Sequence, residues 1–176
     1  EPSSTTPEET LEQAYQQLKD EVANELLHLV KGNTPEFFEK LVVHLIVAMG
    51  YGGSVKDAGK ATRKTADEGI DGVIKEDRLG LDAIYLQAKR WEAVVGRPEV
   101  QKFVGALHGQ RAKKGVFITT SRFSKEALDY VGQIDPKVVL IDGTDLVQLM
   151  IDHGVGVSSA AVYEVKKVDT DFFIED

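Results

Sequence analysis

Apolar residues recur every three or four positions across residues 7–31, at Leu11, Tyr15, Leu18, Val22, Leu26 and Leu29, which is the period of an amphipathic helix. Thr6 and Pro7 supply an N-cap and a first-turn proline, and Gly32-Asn33 supply a stop. A second helix is expected over residues 35–49, with Thr34 as cap, Pro35 at its first position and Glu36 in its first turn. Phe37, Phe38, Leu41, Val42, Leu45, Ile46 and Ala48 make much of its surface apolar, and Gly50-Tyr51-Gly52-Gly53 ends it in a turn.

Beyond that turn the period shortens. Strands are expected over residues 54–59, 69–75 and 81–90, with a polar loop over 61–68. In the third strand Ala83, Tyr85, Gln87 and Lys89 share one face, and Ile84, Leu86 and Ala88 share the other. A helix follows over 98–113, apolar at Val100, Phe103, Val104 and Leu107. Then come a buried strand (115–119), a helix capped by Ser124 (124–132), a buried strand (138–141) and a helix (144–153). Residues after 155 show no strong period, although 161–165 could add an edge strand and 168–176 reads as an acidic tail. Strands in succession, followed by strand–helix alternation, predict an α/β fold with a mixed central sheet and helices on both faces.

At 176 residues the chain is one domain's worth. We expect the main α/β domain over 34–160, preceded by a helical segment over 1–33 and followed by the tail over 161–176. No apolar run approaches the roughly 18 residues of a membrane span. The polar, acidic residues 1–9 are not a signal peptide. Zero cysteines exclude disulfides and thiolate metal sites, which fits a cytoplasmic protein. The chain does not open on Met, as expected of a fragment or processed form.

The net charge of −8 argues at first against a nucleic-acid partner. Its distribution reverses that reading, because residues 60–125 carry 14 Lys/Arg against 8 Asp/Glu while both ends are acidic. Phosphate contacts are expected from Arg90, Arg97, Arg111, Lys113, Lys114 and Arg122. Thr119, Thr120 and Ser121, at the end of a buried strand, could hold a backbone phosphate or serve as helix caps. Trp91 could stack on a base, although a core position closing the sheet is favoured.

The basic segment also holds Asp71 on one strand and Gln87 and Lys89, side by side in direction, on the next. Phosphodiester hydrolysis needs a hard cation, an activated water and relief of charge on the phosphate. Asp71 offers a carboxylate, Gln87 a side-chain carbonyl and Ala88 a backbone carbonyl, all oxygen donors of the kind Mg²⁺ takes. An ammonium at Lys89 can orient the attacking water or stabilise charge on phosphorus oxygens. Mn²⁺ could substitute. His28, His44, His108 and His153 have no metal-ligand partner at a convincing spacing. Gly50 to Gly53 lack the G-K-[S/T] of a nucleotide-binding loop, so no nucleotide cofactor is expected.

The G-I-D-G strand and the Y-L-Q-A-K-R-W strand resemble the Mrr family of restriction endonucleases, a branch of the PD-(D/E)XK nucleases. F-E-K-L-V-V-H-L-I-V-A-M-G-Y-G, V-G-R-P-E-V-Q-K-F-V-G-A-L and K-G-V-F-I-T-T-S-R-F-S are similar to the same family, in the same order. The likeness spans residues 35–159. It implies a restriction-endonuclease-like αβββαβ core, with Asp71 as metal-binding aspartate, Gln87 in place of the usual acidic ligand and Lys89 as catalytic lysine. Glu39 matches the acidic residue of the family's early helix, with Glu36 competing for that role. Where the family often has G-D-G-G-I-D-G, this chain has A-D-E-G-I-D-G, which keeps Asp67 and adds Glu68 near the site. Gln101 is an accessory candidate.

The resemblance implies a Mg²⁺-dependent endonuclease that restricts foreign double-stranded DNA carrying modified bases, working as a homodimer when both strands are cut. A junction or repair nuclease of the same fold, a non-cutting DNA-binding module and an assembly domain pairing through the first helix stay open as alternatives.

Overall fold

The computed structural model describes residues 5–52, 69–77 and 79–174. The strand expected over 54–59, the loop over 61–68, Asp67 and Glu68 lie outside the described residues.

Two capped helices open the chain. In α1 (Pro7–Gly32), Thr6 accepts from the Glu9 amide while Glu9 returns a bond to the Thr6 amide, so both exposed donors are satisfied. In α2 (Pro35–Ala48), Thr34 accepts from the Phe37 amide. The sheet has four strands in the order β1 (Gly72–Lys75), β2 (Ala83–Lys89), β3 (Lys114–Thr119) and β4 (Lys137–Ile141). β1 runs antiparallel to β2, and β2, β3 and β4 run parallel. The parallel strands are joined by α3 (Arg97–Gly109) and α4 (Lys125–Val131), and α5 (Gly143–Asp152) follows β4.

Strand alternation divides the core in two. Ile74, Ile84, Leu86 and Ile118 face a layer made by α1, α2 and α5, whose contributors include Leu26, Phe38, Leu45 and Leu146. On the other face Phe117 packs with Phe103 and Val104 of α3 and Ala127 of α4. Phe117 meets Phe103 and Phe123 edge to face, with ring centroids 5.6 and 5.4 Å apart. Asp71, Gln87 and Lys89 follow the alternation of Val73 and Tyr85, and so belong to the α3 face.

Two expectations change. The stripe of α1 is exposed at Leu11, Tyr15, Leu18, Val22 and Leu29; of its members only Leu26 is buried, together with Ala23 and Val30 beside it. The core, α5 included, seals a neighbouring face of α1 nearer its C-terminal end, and periodicity does not say which part of a face finds a partner. Residues 161–165 form no strand, and the described part of the tail holds a single short 3-10 turn, Asp171–Phe173.

The far end of the sheet is closed electrostatically. Lys114, opening β3, pairs with Glu76 and, at 2.8 Å, with Asp82, both on the β1–β2 hairpin. Hydrogen bonding to Lys114 and then to the Ala83 amide holds the Asp82 carboxyl below its ordinary range. Hydrogen bonds to Asp82 and then Glu76 raise the Lys114 ammonium above its own. A depressed acid stabilises the fold above its unfolded pKa and loses that contribution as pH falls through the folded value; a raised base does the reverse on the alkaline side. The cluster therefore contributes between about pH 4 and pH 10. Lys114→Met should lower the thermal midpoint at pH 7 by a few degrees at most, because the groups are solvent-screened. The gap from wild type should narrow as pH falls below about 4; a gap that stays unchanged on further acidification would contradict the pairing.

Candidate active site

Gly69, at φ +118°, turns the chain into β1 in a conformation that favours glycine. A Cβ there would sit 3.6 Å from Ala106 Cβ of α3 and 3.8 Å from Gln87 Oε1, so this turn lies directly against the site. The Asp71 amide donates to the Leu86 carbonyl at 2.8 Å, which extends the β1–β2 ladder by one bond and fixes the aspartate beside β2.

Asp71 Oδ2 then accepts two hydrogen bonds, from Gln87 Nε2 and from the Ala88 amide, each 2.7 Å long. Two short donors on one carboxylate oxygen hold it in place. Gln87 is only 2 % exposed, and its Oε1 is buried without a hydrogen-bond partner among the described residues. A buried carbonyl left unpaired costs about 1–3 kcal/mol, so some group that accepts its lone pair is expected here. A divalent cation satisfies that demand, and the donor set (carboxylate, amide carbonyl and the backbone carbonyl of Ala88) is all hard oxygen. The residues fit such an ion, with Gln87 able to present Oε1 toward Asp71 by a turn of its terminal amide.

Lys89, two residues on, is half-buried, with its ammonium 5.2 Å from the centroid of the Trp91 ring. Trp91 is 36 % exposed, which corrects its expected place in the core: its ring lies beside the lysine, just past the end of β2. Glu39 is half-buried on α2, the helix covering the face that Leu86 lines, and Glu36 is exposed in that helix's first turn. Gln101 is exposed on α3.

Several expected phosphate contacts have other roles. Arg90 Nη1 donates to the Lys31 carbonyl at 2.9 Å, which binds the end of α1 to the strand that leaves the site. Thr120 is 1 % exposed, and its hydroxyl donates to the Trp91 carbonyl at 3.0 Å. Lys114 is held in the hairpin cluster, and exposed Lys113 shares that end of the sheet, about 16 Å along β3 from Thr119. Arg90, Thr120 and Lys114 are thus engaged within the fold, and Lys113 lies at the end of β3 away from Lys89. Ser121 caps no helix; its hydroxyl donates to the Glu92 carbonyl. Arg122 is exposed just past the end of β3, and Arg97 is exposed with its guanidinium 4.9 Å from the Tyr130 ring. The Lys89–Trp91 stack and the anchoring of Arg90 to α1 carried no signal in the sequence, because each depends on where the chain goes after β2.

Comparison with known proteins identifies the family. The profile of the Mrr-type family described as restriction endonuclease matches residues 30–150. The type IV methyl-directed restriction enzyme EcoKMrr of Escherichia coli (strain K12) is 47 % identical over 171 residues, covering 97 % of this chain and 55 % of the relative. The chain thus spans about half the length of that relative. Among solved structures, the DNA modification-dependent restriction endonuclease AspBHI matches with a TM-score of 0.59 and 22 % identity, over 76 % of this chain and 36 % of that one. That likeness supports the restriction-endonuclease-like α/β fold. MspJI, solved in complex with a 27-mer oligonucleotide, matches with a TM-score of 0.43 and 22 % identity, over 85 % of this chain and 32 % of that one. On the extent of the profile match and the identity to its relative, the chain belongs to the Mrr-type restriction endonuclease family.

Proposed function

We propose that this chain is the nuclease domain of a type IV restriction enzyme, hydrolysing phosphodiester bonds in foreign double-stranded DNA that carries modified bases. The observation that carries the reading is the fixed Asp71 carboxylate beside the unpaired carbonyl of Gln87, with the Lys89 ammonium on the same strand face. The 47 % identity to a methyl-directed enzyme supports the substrate class. Restriction endonucleases generally use a divalent metal, and the oxygen-only donor set favours Mg²⁺, with Mn²⁺ able to replace it. When bound, that ion would neutralise phosphate charge and lower the pKa of a coordinated water. Asp71, Gln87 and the Ala88 carbonyl would hold it; Glu39 and the competing Glu36 lie on α2, over the opposite face of the sheet, and would reach it only around the end of β2.

The chain's own residues supply the rest. The Ala88 amide keeps Asp71 from turning away even when the Gln87 amide turns to present its oxygen. Lys89 brings a positive charge to the phosphate and can hold the attacking water by hydrogen bond. Arg122 and Arg97, exposed and unburdened by carboxylates in the ion pairs described, are the proposed backbone contacts. One copy carries one such site, so breaking both strands calls for a homodimer. No nucleotide cofactor enters, and the setting is the cytoplasm; no helix among the described residues is long and apolar enough to cross a membrane.

Methylated and unmethylated plasmids incubated with the protein and Mg²⁺ or Mn²⁺ test this. Metal-dependent nicking that favours methylated DNA is expected. Preference for a four-way junction would replace the substrate reading, and no metal-dependent cutting of any DNA would overturn the nuclease reading.

A further inference from the structure

Three consecutive hydroxyls at the end of β3 each donate to a carbonyl at the last residue of β2 or on the segment that follows it. Thr119 Oγ1 donates to Lys89 O at 2.8 Å, Thr120 Oγ1 to Trp91 O at 3.0 Å, and Ser121 Oγ to Glu92 O at 3.1 Å. The first rung is the most tightly determined. Thr119 is fully buried, and its hydroxyl also accepts from the Ser121 amide at 3.1 Å. With one lone pair engaged there, its single proton is directed at Lys89 O. The Thr120 amide donates to the same carbonyl at 3.2 Å, so the peptide plane after Lys89 is held by two donors from one neighbouring strand.

That plane decides where the Lys89 side chain begins. The ammonium stands about 6 Å from its own Cα, so a backbone swing of about 15° moves it by more than 1 Å. Displacements of that size cost catalysis heavily while leaving binding nearly untouched. From the geometry we infer that Thr119 is a positioning residue for Lys89, setting the place of its ammonium through the Lys89 carbonyl. The inference rests on Lys89 acting in the cleavage proposed above. The register alone would keep the strands paired; the hydroxyl removes the remaining freedom at the strand's last residue, where the ladder stops.

Two readouts test it on the full chain. In the first, lysines are ¹³C-dimethylated, and the Lys89 signal is assigned by its loss in Lys89→Arg. The Trp91 ring should displace that signal upfield. Thr119→Val, which keeps shape and removes the donor, should at least halve the displacement. Thr119→Ser should restore it, and Ser121→Ala, which loosens only the third rung, should leave it nearly unchanged. An undiminished displacement in Thr119→Val would overturn the proposal. If valine impairs folding, Thr119→Cys, with similar bulk and a weaker donor, is judged by the same criterion.

The second readout is single-turnover plasmid cleavage with Mg²⁺. The rate should fall about tenfold in Thr119→Val with DNA affinity within twofold of wild type, and Thr119→Ser should recover it. An equal loss in Ser121→Ala would show general loosening and overturn the positioning role. Full cleavage by Lys89→Ala would instead remove the reading on which this rests, leaving the NMR comparison to judge the anchor by itself.

Discussion

Lys89→Ala is expected to lower DNA cleavage by about a thousandfold while leaving the protein folded. Removing a positioned charge that acts on a developing phosphate charge costs on the order of 10²–10⁴ in rate. The structural cost is small by comparison. The ammonium lies over the Trp91 ring, a partly exposed contact worth about 0.5–1 kcal/mol, and the backbone of β2 keeps its ladder whatever the side chain. Activity and stability should therefore separate cleanly. Single-turnover plasmid cleavage beside a thermal melt measures both. A variant that melts within a few degrees of wild type yet cuts within tenfold of its rate would end the assignment of Lys89 to the chemistry.

Gly143→Ala should have the opposite profile, a large loss of stability caused by a single methyl group. A Cβ on Gly143 would lie 2.4 Å from the carbonyl oxygen of Thr120 and 2.9 Å from its carbonyl carbon. Both are backbone atoms, so no rotamer change relieves the clash. α5 cannot simply retreat either. The Gly143 amide donates to Ser121 O at 2.8 Å, and Asp142 caps the helix by accepting from the Thr144 and Asp145 amides at 2.9 Å each. Behind them Leu146, Val147 and Met150 are buried in the core. Alanine's better helix propensity offsets at most about 1 kcal/mol. Overpacking against rigid backbone should cost about 3 kcal/mol, or a drop of roughly 6–12 °C in Tm for a chain of this length. A thermal melt unchanged within two degrees would show that α5 and the end of β3 are not in contact as described. Since Thr120 belongs to the hydroxyl run beside Lys89, cleavage should weaken as well, at temperatures where the variant is still folded.

The helices were legible in the sequence because their signals are local. Thr6, Thr34 and Ser124 cap where their side chains can reach an amide three residues on, and each helix begins within a residue or two of the expected place. β3 and β4 were legible for a related reason: short apolar runs bounded by polar turns leave a buried strand as the simplest solution. The exposed stripe of α1 shows the limit of such reasoning. Leu11, Tyr15 and Leu18 have the period of a buried face, yet the described core reaches only a neighbouring face of the helix, nearer its end.

The candidate site divides along the same line. Asp71, Gln87 and Lys89 could be placed together from strand alternation and hairpin order, and the hydrogen bonds between Asp71 and β2 agree with that placement. The basic residues could not be sorted, since composition counts charges without assigning partners. Lys114 meets Asp82, 32 positions earlier, and Arg90 meets Lys31, 59 positions earlier. Thr119 and Thr120 were noticed as hydroxyls at a strand end, but the carbonyls they bind lie 29 or 30 residues away on a parallel neighbour.

By itself, then, the sequence determined the elements, the strand faces and the three residues on which the chemistry is proposed to rest, because each depends on contacts within a few residues or on a two-residue period. Tertiary structure alone decided that Gln87 keeps a buried, unpaired carbonyl beside Asp71, that Arg90 and Lys114 serve the fold, and that Thr119 holds the backbone of Lys89. Those outcomes depend on which distant segments are brought within about 3 Å of one another, and no local period encodes that distance.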